Sequence, residues 1–302
     1  MKQFFSNGKL LISGEYVVLD GAISLAVPTK YGQSLLVEHI NESKIIWSSL
    51  DENGEVWFEK EFDIKGNNIL NLNEKDEITN RLIEILLAAK QLNPSFLKDG
   101  KGYKVITELD FPKNWGLGTS STLINNVANW AKVDAYQLLE KTFGGSGYDI
   151  ACAQNNSAIT YQLKGDLKHV IKLNFNPIFK EHLYFIHLNK KQNSREGIKH
   201  YRANKSDLVP SINEINSITE KMIGAESLEM FKSLIEKHEN IIAKITKQTP
   251  VKNRFFSDFK GAVKSLGAWG GDFVLAVSKE DPTVYFKDKG FNTVIAYNNM
   301  VL

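Results

Sequence analysis

One segment rich in glycine and hydroxyl residues, residues 112–121, constrains the fold of this 302-residue chain more than any other. The residues before it, at 103–109, are typical of a strand, and those after it, at about 120–133, repeat with the period of an amphipathic helix. Gly116 and Gly118 allow the loop between them to turn tightly and to approach a ligand closely. The order strand, glycine loop, helix predicts a helix N-terminus with free N–H groups, which is a favourable site for phosphate.

Two familiar nucleotide-binding motifs are excluded in this segment. The Walker pattern G-x4-G-K-[ST] is absent, and the dinucleotide pattern G-x-G-x-x-G fails because Ser121 stands where its third glycine belongs. Serine and threonine also cap helices that bind no ligand. The segment alone therefore leaves both a phosphate loop and an ordinary helix cap open.

Composition narrows the kinds of partner that we expect. The 37 basic and 35 acidic residues give a formal net charge of +2, which favours neither nucleic acid nor a membrane as partner. Cys152 is the one cysteine, so an internal disulfide and a cysteine zinc cluster are impossible and a reducing, cytoplasmic location is expected. The first residues lack the layout of a signal peptide, and no run of about 18 apolar residues predicts a membrane span.

Three further segments place charged residues beside glycines. Lys9 and Glu15 flank an apolar run, Asp149 follows a glycine run and precedes a predicted helix, and residues 267–272 place glycines ahead of a strand. Taken alone, these patterns are also consistent with charged strand ends, a helix cap and a turn. Asp149 is in addition a candidate general base.

The order of the predicted elements indicates two α+β regions with a boundary near residue 175. Strands dominate the first region and helices the second. Beyond those already named, the predicted strands are 10–12, 16–19, 34–38, 45–47, 56–58, 158–163, 169–173, 183–188, 273–277 and 293–297, and the predicted helices are 79–92, 149–154, 212–223, 227–245 and 255–266.

Together, the four segments resemble the motifs of the GHMP kinases, a superfamily that includes galactokinase, homoserine kinase, mevalonate kinase and phosphomevalonate kinase. Residues 8–16 resemble the first motif, 112–121 the phosphate loop P-x3-G-L-G-S-S-A, 147–149 the segment with the catalytic aspartate, and 267–272 the third motif. The resemblance implies an α+β fold with the active site between two domains. These are a ribosomal protein S5 domain 2-like N-terminal domain, residues 1–175, and a ferredoxin-like C-terminal domain, residues 176–302.

The resemblance also implies two cofactors, ATP and Mg2+. Ser120 would be a magnesium ligand. Glu140 is the nearest candidate for the family's magnesium-binding glutamate, although the stretch between the loop and Asp149 is shorter than in the family. The residues that would hold the ATP phosphates are Gly116, Leu117, Gly118, Thr119, Ser120 and Ser121.

By the same resemblance, three charged residues would serve the transfer of the phosphoryl group. Asp149 would take or orient the proton of the acceptor. Lys9 would lie near Asp149, stabilise the charge of the transferred group and keep Asp149 ionised. Glu15 would help to order this corner of the site.

The acceptor is predicted to be a small anionic molecule, with phosphomevalonate as the best candidate. The sequence Gly14-Glu15-Tyr16 resembles phosphomevalonate kinases more than mevalonate kinases, which usually carry histidine at the third position. A basic loop at 189–195, after a predicted strand, also resembles an acceptor loop of phosphomevalonate kinases. The candidate acceptor-binding residues are Glu15, Ser146, Lys191, Ser194, Arg195, Gly270 and Gly271.

Two alternatives stay open from the sequence. The acceptor could be mevalonate or another substrate of a GHMP kinase, or the chain could be a non-catalytic, ligand-binding regulator on the same fold. Trp269, which replaces a glycine of the third motif, and the shortened central stretch favour the regulator. Residues 67–73 are the candidate segment for the adenine pocket, and both a monomer and a homodimer are compatible with the sequence.

Overall fold

The computed structural model describes residues 1–65, 68–70, 76–98, 102–204 and 207–302, which form two compact units. Unit 1 comprises residues 1–8, 31–113 and 118–154, and unit 2 comprises residues 9–30, 114–117 and 155–302. Both units are discontinuous in sequence. They divide the chain differently from the predicted domains 1–175 and 176–302, which stay a prediction.

The described residues combine strands and helices in both units, which confirms a mixed α+β architecture. The names of the two domain folds stay predictions. The strands are β1 (Lys2–Leu11), β2 (Ser24–Ile40), β3 (Lys44–Leu50), β4 (Val56–Lys65), β5 (Asn68–Leu70), β6 (Gly102–Leu109), β7 (Ile159–Lys164), β8 (Leu167–Lys172), β9 (Leu183–His187), β10 (Ala262–Ser265), β11 (Phe273–Val277) and β12 (Val294–Ala296). The helices are α1 (Glu77–Leu92), α2 (Thr119–Ala131), α3 (Ala135–Thr142), α4 (Tyr148–Ala153), α5 (Ser194–Ala203), α6 (Val209–Ile223), α7 (Leu228–Thr246), α8 (Val251–Phe255), α9 (Thr283–Asp288) and α10 (Tyr297–Met300).

Unit 1 is built on a mixed sheet with the strand order β5-β4-β3-β6-β2. Strands β3 and β6 run parallel, whereas the other neighbours run antiparallel, and β2 contributes its residues 33–40. The sheet and the helices α1 and α2 share one apolar core, in which Trp47, Val105, Ile85 and Val127 are fully buried. The predicted strand before the glycine loop is thereby confirmed as β6.

Helix α2, which follows the glycine loop, is held by buried polar side chains of unit 1. The Asn126 side chain accepts a hydrogen bond from Ser6 Oγ at 2.7 Å and donates one to the Gln33 carbonyl at 2.8 Å. Thr122 Oγ1, one turn earlier, donates to Gln33 Oε1 at 2.8 Å. Because hydrogen bonds are directional, these contacts fix the rotation of α2 against strands β1 and β2.

Unit 2 contains an antiparallel sheet with the order β10-β11-β9-β12 and the hairpin β7–β8, whose first strand pairs with residues 24–26 of β2. Helices α6 and α7 pack against each other. Ile215 and Ile242 from these helices share one apolar cluster with Tyr16 and Tyr201. None of the described helices is long and apolar enough to cross a membrane.

The strand predicted at 16–19 is wrong, because the chain turns at this point. Tyr16 has φ 64° and ψ −52°, and the Val17 N–H donates to the Glu15 carbonyl at 2.7 Å. This geometry is a γ-turn, which is rare and strained for a residue with a side chain. A short 3-10 helix, Val17–Asp20, follows it.

The helix predicted at 255–266 is also wrong. Helix α8 ends at Phe255, and the buried strand β10 occupies Ala262–Ser265. Apolar residues at 256, 259, 263 and 266 imitate a helical repeat. Gly261 interrupts it, since a Cβ at this position would lie 2.1 Å from the Val277 carbonyl oxygen.

Replacing Asn126 should destabilise unit 1. We expect Asn126→Ala to lower the free energy of unfolding by about 1–3 kcal/mol, because buried hydrogen-bonding groups lose their partners. Urea unfolding followed by circular dichroism measures the change. Asn53→Ala, in an exposed turn, is the control and should stay within about 0.5 kcal/mol. Equal stability of both variants would contradict the assigned role of Asn126.

Candidate active site around the glycine loop

The glycine loop is attached to strand β1 by one residue, Lys9. The Lys9 N–H donates to the Leu117 carbonyl at 2.9 Å, and the Lys9 ammonium donates to the Gly116 carbonyl at 3.0 Å. The sequence predicted a role for Lys9 near the transferred phosphoryl group. Its ammonium lies directly beside the first glycine of the loop, within unit 2.

The backbone of the loop requires its two glycines. Gly116 has φ 69° and Gly118 has φ 100°, in the region that side chains rarely adopt. Gly118 is the N-cap of α2 and offers no side-chain oxygen to the N–H groups of the first turn. Those N–H groups and the helix dipole therefore suit an anion.

The three hydroxyl residues at the start of α2 have different surroundings. Ser121 is buried, and its Oγ donates to the Gly118 carbonyl at 2.8 Å, which stabilises the turn itself. Thr119 is half-buried, and Ser120 is exposed. Ser120 is thus the hydroxyl of the three that is most accessible to a ligand.

The sequence analysis missed a carboxylate beside this loop, that of Asp272. A Cβ on Gly116 would lie 2.3 Å from the Asp272 Cγ, so the carboxylate fills the space where a side chain at 116 would begin. Asp272 itself has φ 53°, and its Oδ1 accepts the Gln192 N–H at 3.0 Å. Burial raises the pKa of Asp272, whereas the Gln192 N–H and the nearby Lys9 oppose that rise.

Aromatic rings hold the other side of the loop in unit 2. The Trp115 ring meets the Phe273 ring edge-on, with a centroid distance of 5.4 Å, and lies 6.4 Å from the His187 ring. His187 Nε2 lies 3.0 Å from the Asn114 carbonyl oxygen. Burial lowers the pKa of His187, so the ring is favoured in its neutral form.

The third motif and the basic loop meet in unit 2. A Cβ on Gly271 would lie 2.6 Å from the Lys190 carbonyl oxygen, and Gly270 lies against the Gln192 side chain. Lys191, Ser194 and Arg195 are exposed. The loop predicted at 189–195 is shorter in the structure, because helix α5 begins at Ser194, with Asn193 as its N-cap.

The remaining sequence-predicted residues belong to unit 1. Asp149 lies in the first turn of α4 and is half-buried, Ser146 is buried, and Glu140 is exposed on α3. Since Lys9 belongs to unit 2, its meeting with Asp149 stays a prediction. Of the candidate adenine segment 67–73, residue 67 and residues 71–73 lie outside the described residues.

Asp149 also affects a neighbour within unit 1. Burial raises the pKa of Tyr136 to about 12, and the charges of Asp134, Cys152 and Asp149 add to this effect. Cys152 is buried within α4, in agreement with the packing role expected from the sequence. Among the described residues, no three His, Cys, Asp or Glu side chains group as a metal site.

Solved structures similar to this chain include kinases of small molecules. Streptococcus pneumoniae phosphomevalonate kinase, in complex with phosphomevalonate and AMPPNP, superimposes with a TM-score of 0.71 at 14% identity, over 98% of this chain and 100% of that chain. Methanococcus jannaschii mevalonate kinase gives 0.67 at 18% identity, over 97% and 96%. Lactococcus lactis galactokinase, complexed with galactose, gives 0.67 at 14% identity, over 95% and 88%.

The chain has the GHMP kinase fold. The resemblance inferred from the four sequence segments is thereby confirmed for the fold. At these identities the likeness does not establish the acceptor. No protein-family model matches the sequence, and no curated protein matches it.

Glu15, the acidic residue of the first motif in this GHMP kinase fold, is fully buried and has no surface for a ligand. Its Oε1 accepts a hydrogen bond from the Lys264 ammonium, and its other oxygen lies 3.4 Å from His238 Nε2. His238 Nε2 accepts the Gly14 N–H at 2.8 Å. Glu15 is therefore an internal ion-pair residue, which suits its predicted ordering role and not direct acceptor binding.

A second buried carboxylate, that of Glu239, belongs to the same polar cluster. Glu239 Oε1 accepts the Val251 N–H at 3.1 Å and the Ser265 hydroxyl at 3.0 Å, and Oε2 accepts the Ser265 N–H at 3.1 Å. Burial raises the pKa of Glu239 to about 7, partly opposed by Lys264. The Lys264 ammonium thus binds the Glu15 carboxylate directly and acts on Glu239 only through its charge.

Trp269 of the third motif is buried in the neighbouring apolar cluster with Tyr16 and Tyr201. The backbone N–H of Trp269 donates to the Tyr16 hydroxyl at 3.0 Å, and the Tyr16 ring stacks on the Tyr201 ring at 5.5 Å. The indole therefore packs inside unit 2, where Trp269 of the third motif contacts Tyr16 of the first motif.

The raised pKa of Glu239 predicts a measurable pH dependence of stability. Between the usual value of 4.5 and about 7, folded Glu239 holds a proton that the unfolded chain releases, so its contribution falls as the pH rises. The full shift corresponds to about 3 kcal/mol. Relative to Glu239→Gln, the wild type should therefore lose stability across this window in urea titrations.

This comparison isolates Glu239, because both proteins retain Glu15, His238 and Lys264. Glu236→Gln, on the same helix, is the matched control and should follow the wild type at every pH. A constant difference between wild type and Glu239→Gln from pH 4.5 to 7 would show that folding does not raise the pKa of Glu239.

Proposed function

We propose that this chain is an ATP-dependent kinase that transfers the γ-phosphoryl group of ATP to a small anionic acceptor, with phosphomevalonate as the leading candidate. The observation that carries the proposal is the Lys9 ammonium hydrogen-bonded to the glycine loop at Gly116. A fixed cation and the N-terminus of a helix, joined by two glycines, suit the phosphates of a nucleotide. The GHMP kinase fold supports the same assignment.

Residues 116–121 would hold the nucleotide phosphates. The free N–H groups of the first turn of α2 would bind phosphate oxygens, and Thr119 and Ser120 would add their hydroxyl groups. Lys9 would stabilise the negative charge on the transferred group. Phosphoryl transfer depends mainly on such positioning and electrostatic stabilisation.

The residues at the loop also fit Mg2+, which would neutralise phosphate charge when bound. Magnesium prefers oxygen ligands and commonly takes few from the protein, because water and the phosphates supply the others. Ser120 offers an exposed hydroxyl at the start of α2. Glu140 is exposed on α3 and stays a candidate ligand.

Asp149 would act on the acceptor. With a hydroxyl acceptor it would take the proton as the oxygen attacks, and with a phosphate acceptor it would orient the attacking group. By the resemblance to GHMP kinases, Lys9 would keep the Asp149 carboxylate ionised. Ser146, in the glycine run before α4, would contribute to acceptor binding.

The choice of phosphomevalonate depends on the segments around the third motif. Lys191, Ser194 and Arg195 are exposed on a loop and helix start whose neighbour is Gly271, and they suit a phosphate or carboxylate. The fold itself does not choose, since the phosphomevalonate and mevalonate kinases superimpose with TM-scores of 0.71 and 0.67. Mevalonate is therefore the second candidate acceptor, and a cytoplasmic location accompanies the proposal.

Consumption of ATP against a panel of acceptors tests the proposal. Phosphomevalonate, mevalonate, galactose and homoserine are supplied in turn with Mg2+, and ADP release is measured. Stimulation by phosphomevalonate above the others is expected. Nucleotide binding without stimulation by any acceptor would favour a ligand-binding regulator. The buried position of Trp269 removes one sequence argument for that alternative.

Replacing Asp149 should separate chemistry from binding. We expect Asp149→Asn to lower kcat by roughly a hundredfold or more, because the carboxylate that orients the acceptor or takes its proton is lost, with little change in nucleotide affinity. Steady-state kinetics and calorimetry measure the two quantities. Asp134→Asn is the control, because asparagine also caps helix α3 at this position. Near-normal turnover of Asp149→Asn would refute the role.

A further inference from the structure

Asp272 places a negative charge where the proposed function requires phosphates to bind. Both carboxylate oxygens would lie 2.5 Å from a Cβ built on Gly116, the loop residue whose carbonyl binds the Lys9 ammonium. The carboxylate therefore packs on the loop itself. Any anion held at this loop would experience its field.

The position of Asp272 is specified by its backbone. Its N–H donates to the Lys190 carbonyl at 2.7 Å, and its carbonyl accepts the Leu188 N–H at 2.8 Å. Its φ of 53° is a conformation in which glycine is usual, and Gly270 and Gly271 precede it. A carboxylate is thus held beside the loop in a backbone conformation that glycine would adopt more easily.

The Asp272 carboxylate and two cations act together near Gly116. Lys9 binds the Gly116 carbonyl, and the charges of Lys9 and Lys191 both act on Asp272, while burial favours neutral His187. Free ATP would bring three to four negative charges toward a carboxylate in a partly buried place, where repulsion is stronger than in water. Lys9 and Lys191, whose charges also act on Asp272, offset this charge only in part.

We propose that Asp272 is a specificity-determining residue that makes the glycine loop select the divalent-cation complex of the nucleotide over the free nucleotide. The inference rests on the proposed function, because it assumes that nucleotide phosphates bind at residues 116–121. A divalent cation removes two of the negative charges and is itself attracted by the carboxylate. Asp272 thereby penalises the metal-free nucleotide and favours the metal-bound one.

Calorimetric titration of the full chain with AMPPNP, in Mg2+ or in EDTA at equal ionic strength, tests the proposal without turnover. The wild type should bind Mg·AMPPNP about tenfold or more tightly than metal-free AMPPNP. In Asp272→Asn this ratio should shrink by about tenfold, mainly because the metal-free nucleotide binds more tightly. Asp166→Asn, with the same charge change in the exposed β7–β8 turn, should retain the wild-type ratio.

The outcomes separate this inference from the proposed function. If Asp272 only supports the loop, both forms of the nucleotide will weaken equally in Asp272→Asn and the ratio will not change, which overturns the inference alone. If the wild type binds neither form, the proposed function fails first. Asp272→Ser, whose hydroxyl can still accept the Gln192 N–H, gives the same comparison should the asparagine variant not fold.

Discussion

Two hydrogen bonds from Lys9 fix the glycine loop, and the candidate site depends on them. The main-chain hydrogen bond to the Leu117 carbonyl attaches the loop to strand β1, and the side-chain hydrogen bond places an ammonium at Gly116. The contact also explains why residue 116 is glycine, since Asp272 occupies the space of its side chain and its φ is positive. The Lys9 ammonium and the Asp272 carboxylate therefore both lie at Gly116, and both charges would act on an anion bound at the loop.

Features that depend on local sequence were predictable. The strand before the loop and the helix after it appear as β6 and α2, because apolar periodicity and glycine placement are properties of neighbouring residues. The order of four glycine-containing segments also predicted the fold, through a resemblance that the solved structures confirm. The strand predicted at 16–19 failed for a local reason, because Tyr16 adopts a turn that its side chain disfavours.

The features that sequence analysis missed depend on contacts between distant residues. Lys264 lies 249 residues from Glu15, and nothing around either residue shows that they form a buried pair. Asp272 was visible as the end of the third motif. Its contact with Gly116 joins residues far apart in sequence, and no pattern around residue 272 reveals it. The end of α8 and the start of β10 were missed because tertiary packing, and not periodicity, decides that segment.

The buried charges of unit 2 have a structural role that apolar residues could not fill. Apolar packing is non-directional, whereas the bonds from Lys264 to Glu15 and from Gly14 to His238 hold the strained turn at Tyr16 in one geometry. Lys264 belongs to β10, the strand that leads into the third motif. The segment with Lys9 and Glu15 and the segment with Lys264 and Asp272 are therefore joined by the hydrogen bond from Lys264 to Glu15. The same two segments come together a second time at Gly116, through Lys9 and Asp272.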